Sequence, residues 1–200
     1  MAELMLGVLA EDDNDCEVIK VLIRRIFEDV RVKPGAWRVK KRHDKGCANL
    51  RRKTERWLVD LVKEGCTAAV VIHDLDLNPC NGTLNDEAHL RRTLEAIPVP
   101  RGFERLICIP VEEVEAWFFA SEKALTKACG KPQNAHLSPH LIKQPKETLI
   151  RMSRGASKKP RYSENENHKL AEVLELVECK KRCPAFAALY TFVEALVPVQ

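Results

Sequence analysis

Two acidic clusters in this 200-residue chain each follow a short apolar run. In the first, Leu4–Ala10 leads into Glu11, Asp12, Asp13 and Asp15; in the second, Ala68–Ile72 and His73 lead into Asp74 and Asp76. Carboxylates brought to one point repel each other. At about 4 Å and an effective dielectric of 20 each pair costs about 4 kcal/mol, against about 1 kcal/mol in bulk water. A divalent cation removes that cost, and oxygen donors of this kind suit Mg²⁺ or Mn²⁺. A metal so held polarises a phosphoryl oxygen and lowers the pKa of a bound water or leaving group. The competing reading is that the acids are solvated loop and helix-cap residues.

These acids act together only if the fold sets the two apolar runs side by side. The carboxyl ends of parallel strands in an open α/β sheet converge on one crevice, where ligands bind. The hydrophobic periodicity predicts strands over Leu4–Ala10, Trp37–Lys41, Ala68–Ile72 and Arg105–Ile109. Helices are expected over 14–27, 48–63, 85–96 and 112–129, the first capped by Asp13 or Asn14 and buried through Val18, Leu22, Ile23 and Ile26. Strand alternating with helix predicts an α/β core with a central parallel sheet over 1–130. Residues 131–200 read as a loop, a helix near 147–152 and C-terminal helices over 166–177 and 184–196, packed on that core.

The apolar and charged fractions, 45% and 31%, are those of an ordinary globular protein, and no apolar run approaches the ~20 residues that span a bilayer. Glu3 sits where a secretory signal would be basic, so a cytosolic setting is expected. Eight cysteines in a chain of this length read as free thiols. A zinc site from His136, His140, Cys179 and Cys183 is the alternative, with Pro139 against a helical His pair.

The net charge of +4 alone implies no nucleic acid, and its distribution is more informative. Between Arg38 and Arg56 nine Lys/Arg stand against Asp44 and Glu55, and a second basic stretch runs from Lys143 to Arg161. Such fields attract phosphate backbones, and a solvated surface is the bland alternative. Arg51, Arg52, Lys53, Lys158, Lys159 and Arg161 are the candidate phosphate contacts, which position a substrate without reading its sequence. Trp57, Trp117 and Phe118 sit at helical spacing with apolar neighbours and read as core, as does His73.

Two resemblances compete. Asp12-Asp13 and Asp74-Leu75-Asp76-Leu77-Asn78-Pro79 resemble the acidic pair and phosphorylation segment of a response-regulator receiver. No Ser or Thr closes the strand before Pro110, however, and no Lys follows a fifth strand. Glu11 after the first strand and Asp74-Leu75-Asp76 after a later one resemble the Toprim fold of topoisomerases, primases and overcoming-lysogenization-defect nucleases. Ile109–Trp117, the Asp-Leu-Asp element and Cys183-Pro184-Ala185-Phe186 together resemble a family of small bacterial Toprim-like proteins over nearly the whole chain. Where such proteins usually place Gly after the Glu, this chain has Asp12, so the turn there is expected to differ.

The Toprim resemblance implies Glu11 as the general acid/base and Asp74 and Asp76 as ligands of Mg²⁺ or Mn²⁺. Asp15 and Glu115 are candidates for a second metal, Glu115 being otherwise a first-turn helix acid. It also implies an ABC-like ATPase as partner in phage defence. The leading expectation is a metal-dependent endonuclease acting on nucleic acid. The alternatives are a non-catalytic module that binds nucleic acid or a protein, and the receiver.

Overall fold

The computed structural model describes residues 3–33, 35–44, 46–77, 82–154 and 159–197. Among these, four parallel strands form one sheet: β1 (Leu4–Ala10), β2 (Trp37–His43), β3 (Ala68–Ile72) and β4 (Glu104–Cys108). Their spatial order is β2-β1-β3-β4, with Ala10 beside His43, Leu6 beside Ala68 and Ala68 beside Glu104. The central pair is buried on both faces, which is why β3 is apolar throughout. Leu6, Val8, Val70 and Ile72 enter one layer, and Leu9, Ala69 and Val71 the other.

Helix α1 (Asp13–Asp29) covers the first face through Val18, Ile19, Leu22, Ile23 and Ile26. Helices α2 (Cys47–Lys63) and α3 (Glu87–Glu95) cover the second through Leu50, Leu58, Leu61, Leu90 and Leu94. A Cβ at Gly7 would lie 2.2 Å from Leu61 Cδ1, so the bare backbone of β1 is what lets α2 seat so closely. The fold is thus α/β, a parallel sheet flanked by helices, with further helices towards the C-terminus.

Two expected helices are broken, and tertiary partners break them. Over 112–129 the chain forms a 3₁₀ segment (Val114–Ala120) and then α4 (Glu122–Cys129). Ser121 between them is extended (φ −123°, ψ 119°), and its Oγ accepts the Ala124 N–H at 3.2 Å as the cap of α4. The Glu175 backbone N–H also donates to that Oγ, at 3.1 Å. After α5 (Pro145–Ser153), the expected helix over 166–177 becomes α6 (Asn167–Ala171) and α7 (Leu176–Arg182). Arg25 Nη1 donates to the Ala171 and Leu174 carbonyls at 2.7 and 2.6 Å, ending α6 where the sequence would continue it. Helix α8 (Pro184–Ala195) closes the chain, and Leu149, Leu170, Phe186, Leu189 and Val193 share one apolar cluster with α1. No helix among the described residues is long and apolar enough to cross a membrane.

Candidate functional site

Strand order places the first two acid clusters side by side. The chain leaves β1 towards β2 on one side and β3 towards β4 on the other, so the order reverses between the adjacent strands β1 and β3. Crevices form at such a switch point, outside the carboxyl ends of the strands. Glu11 and Asp15 follow β1, and Asp74 and Asp76 follow β3. The loop after β4 adds Glu112, Glu113 and Glu115.

The turn after Glu11 needs no glycine. Asp12 is extended (φ −145°, ψ 178°), and its Oδ1 accepts the Asp15 N–H at 2.9 Å, so Asp12, rather than Asp13 or Asn14, caps α1. Asp15 is thereby fixed in the first turn and is buried, unlike an ordinary first-turn acid. The left-handed backbone lies elsewhere, at Glu112 (φ 59°). Leu75 donates its N–H to the Pro110 carbonyl at 3.0 Å and bridges to Val111, tying the segment after β3 to the one after β4. With Leu75 buried, Asp74 is half-buried and Asp76 exposed, so the two acids differ in depth.

Burial acts on Glu11, Asp15, Asp74 and Glu115, and repulsion between the crevice acids adds to it for the first three. Burial first, then Asp76 and Asp12, push the Glu11 carboxyl up to about 7, with Arg51 and the Asp74 backbone N–H pulling the other way. Asp15 is raised by burial and then by Asp12, Glu115 and Glu11. Asp74 is raised well above the carboxylate range by burial and then by Asp15, Glu115, Glu11 and Glu113. Burial raises Glu115 as well, against the hydrogen bond from Asn167 and the charge of Lys146. Glu11 Oε1 and Asp74 Oδ1 are buried without a hydrogen-bond partner among the described residues. His73 Nδ1 lies 3.4 Å from Glu11 Oε1, but it is committed to the Asp74 carbonyl at 2.9 Å.

Carboxyl oxygens are the donors that hard cations take. Glu11, Asp15, Asp74 and Glu115 fit Mg²⁺ or Mn²⁺ by donor type, with Asp76 on the rim. As the side chains lie, no three His, Cys, Asp or Glu among the described residues converge closely enough to hold an ion. Asp76 also faces an open hollow of about 430 Å³ whose lining includes Glu112, Glu113, Gln144 and Glu147.

The candidate phosphate contacts are scattered. Arg51 is exposed, and its charge acts on both Glu11 and His73. Arg52 donates to Asn49 Oδ1 at 2.9 Å, and Lys53 pairs with Asp44. Arg161 lies against Gly130, the left-handed C-cap of α4 (φ 68°), where a Cβ would meet its guanidinium. Lys159 is exposed, and Lys158 lies outside the described residues. Trp117 and Phe118 are core, and Trp57 packs half-buried against the second layer. Cys16, Cys66, Cys108, Cys129, Cys179 and Cys183 are buried free thiols, and His136 meets Phe119 edge-on at 5.4 Å.

Sequence reasoning missed three residues at the crevice. Lys146 on α5 places Nζ 3.5 Å from Glu113 and 3.3 Å from Glu164. Burial alone would lower its ammonium, but Glu113, Glu115 and Glu164 overcome that and hold it above its usual value. Tyr162 and Asn167 are buried against Glu115, 47 and 52 residues away in the chain. Lys146 carried a signal as a cation in a late basic stretch; the other two carried none.

The sequence family described as Domain of unknown function (DUF4276) matches residues 10–194. No curated protein and no solved structure matches the chain.

Proposed function

The chain belongs to the DUF4276 family, and we propose that this member is a metal-dependent phosphodiesterase, a Toprim-like endonuclease acting on nucleic acid. One observation carries the reading: Glu11 and Asp15 after β1, Asp74 after β3 and Glu115 after β4 act on one another's charge, with Glu11 Oε1 and Asp74 Oδ1 buried and without a hydrogen-bond partner among the described residues. Keeping such groups has a standing cost, and that cost is offset when a cation enters. The ion, when bound, supplies electrophilic activation of a phosphoryl group. Asp15, Asp74 and Glu115 would hold it. Glu11, with a carboxyl near neutrality, is suited to give or take a proton at the reacting oxygen. Arg51, exposed and close enough for its charge to act on Glu11, offers a phosphate contact. The Glu after β1 and the Asp-Leu-Asp after β3 support the Toprim-like part of the reading.

Buried free thiols suit a reducing, cytosolic compartment. Regulation by an ABC-like ATPase rests on the resemblance alone.

The test is cleavage of single- and double-stranded DNA and RNA with Mg²⁺ or Mn²⁺. Activity is expected in the wild type and its loss on chelation and in Asp15→Ala plus Asp74→Ala. Undiminished cleavage by that folded double variant sinks the proposal. A second reading, a non-catalytic module that binds nucleic acid or a protein partner, is favoured by one feature: no three donors among the described residues converge as they lie. Calorimetry that finds nucleic-acid binding without Mn²⁺ uptake would select it.

A further inference from the structure

Glu115 does not stand alone in the interior. Asn167 Nδ2 donates to Glu115 Oε1 at 2.8 Å, and the Tyr162 hydroxyl lies 2.6 Å from Asn167 Oδ1. Glu115, Tyr162 and Asn167 are 4%, 2% and 0% exposed, so water does not substitute for these bonds. An ionised carboxylate only accepts, so the amide must turn its NH₂ to Glu115 and its carbonyl away. That carbonyl then takes the single proton of the Tyr162 hydroxyl. The longer approach of that hydroxyl to Glu115 Oε1, 3.4 Å, is the weaker one. The donation therefore runs in one direction, Tyr162 to Asn167 to Glu115. A flipped amide would set its oxygen against the Glu115 carboxylate oxygen and lose that bond.

We infer that Tyr162 and Asn167 are positioning residues for the cation site: they fix the Glu115 carboxylate through Oε1 and leave Oε2 for the ion. This rests on the reading of the crevice as a cation site. The arrangement makes the segment after α5 part of the site, although no residue of that segment is a proposed ligand. Groups that orient a ligand are typically worth about 10–100-fold in metal affinity.

Mn²⁺ binding to the full chain, measured by calorimetry and by the electron paramagnetic resonance of free ion, tests this without any need for activity. Asn167→Leu is expected to weaken Mn²⁺ binding by about 10–100-fold, and Tyr162→Phe to weaken it less. In a Glu115→Gln background either change is expected to alter the affinity by less than about twofold, because the residue acts through Glu115. A purely structural role would lower the melting temperature and leave the Mn²⁺ affinity at the wild-type value. Wild-type affinity in Asn167→Leu and Tyr162→Phe, or a full loss repeated in the Glu115→Gln background, overturns the inference. Should Asn167→Leu fail to fold, Tyr162→Phe in the two backgrounds decides. A wild-type chain that takes up no Mn²⁺ overturns the cation site itself and this inference with it.

Discussion

Glu112 Oε2 accepts the Gln144 backbone N–H at 2.6 Å, and both residues hold left-handed backbone, φ 59° and 48°. Neither is a glycine, so each position costs on the order of 1–3 kcal/mol. The bond fastens the loop after β4 to the start of α5, and the Lys146 N–H repeats the tie by donating to Glu113 Oε2 at 3.1 Å. Glu112→Ala would keep the strain and lose the acceptor, leaving an unpaired amide and a loss of about 1–3 kcal/mol. Glu112→Gly would lose the same acceptor but relieve the strain, recovering about 1 kcal/mol. Urea unfolding is expected to rank wild type above Gly above Ala. An Ala variant at least as stable as the Gly variant refutes the strain account.

The crevice acids make the cation-free protein sensitive to pH in a stated direction. Glu11 is raised from 4.5 to about 7 on folding. A raised carboxyl contributes stability that is fully present below its unfolded value and is lost as pH rises through its folded one. For Glu11 the loss falls between pH 4.5 and about 7 and amounts to roughly 3 kcal/mol. Asp15, Asp74 and Glu115 shift in the same direction. Asp13 and Glu17, lowered by their bonds to Lys41, act below about pH 4 and do not offset this window. Thermal unfolding in a chelator is therefore expected to give a lower melting temperature at pH 8 than at pH 5. Mn²⁺ should restore it at pH 8 and do little at pH 5, because protons and cation compete for the same oxygens. A melting temperature that rises from pH 5 to pH 8 in the chelator contradicts the buried-acid account.

Much of this was legible along the chain because it depends on local pattern. β3 has the bounds that its apolar run predicts, Ala68–Ile72, since a central strand has no polar residue to blur its ends. Glu11 and Asp74 were legible for the same reason: acids directly after such runs fall at the sheet's rim. The breaks at Ser121 and after Ala171 were not, because they are made by Glu175 and Arg25, partners far away in sequence. The unequal depth of Asp74 and Asp76 depends on Leu75 meeting Val111, a contact between separate strand ends. Tyr162 and Asn167 sit in a polar stretch with no periodicity, and only the folded chain brings them to Glu115.

Arg51 and Arg161 came from similar basic stretches and are expected to behave differently. Arg51 is exposed at the crevice and senses Glu11 and His73. Arg161 lies at the C-terminal end of α4 over Gly130, where a cation also complements the helix dipole. Arg51→Ala is expected to weaken nucleic-acid binding similarly for all sequences and to reduce the salt slope by about 1. Arg161→Ala should leave both unchanged and lower stability by about 0.3–1 kcal/mol. Fluorescence anisotropy across a salt series, with unfolding curves, separates the two. An equal effect of both substitutions on binding would remove the distinction.

Asp74 and Asp76 give the sharpest contrast, since they are the same residue type two positions apart. Asp74 Oδ1 is enclosed and unpartnered, repelled by Asp15, Glu115 and Glu11, whereas Asp76 is exposed. Asp74→Asn keeps the shape and removes a buried charge, so the cation-free protein should become more stable at pH 8 by about 1–3 kcal/mol, or about 2–4 °C per kcal/mol. That variant should also lose Mn²⁺ binding, the trade expected where a site is kept at a cost in stability. Asp76→Asn should leave stability within about 0.5 kcal/mol of the wild type, because the exposed carboxylate is already solvated. Paired melts with and without Mn²⁺ read all three quantities. If Asp74→Asn destabilises the cation-free protein while Mn²⁺ binding persists, Asp74 is a structural acid and the ion, if any, is held elsewhere.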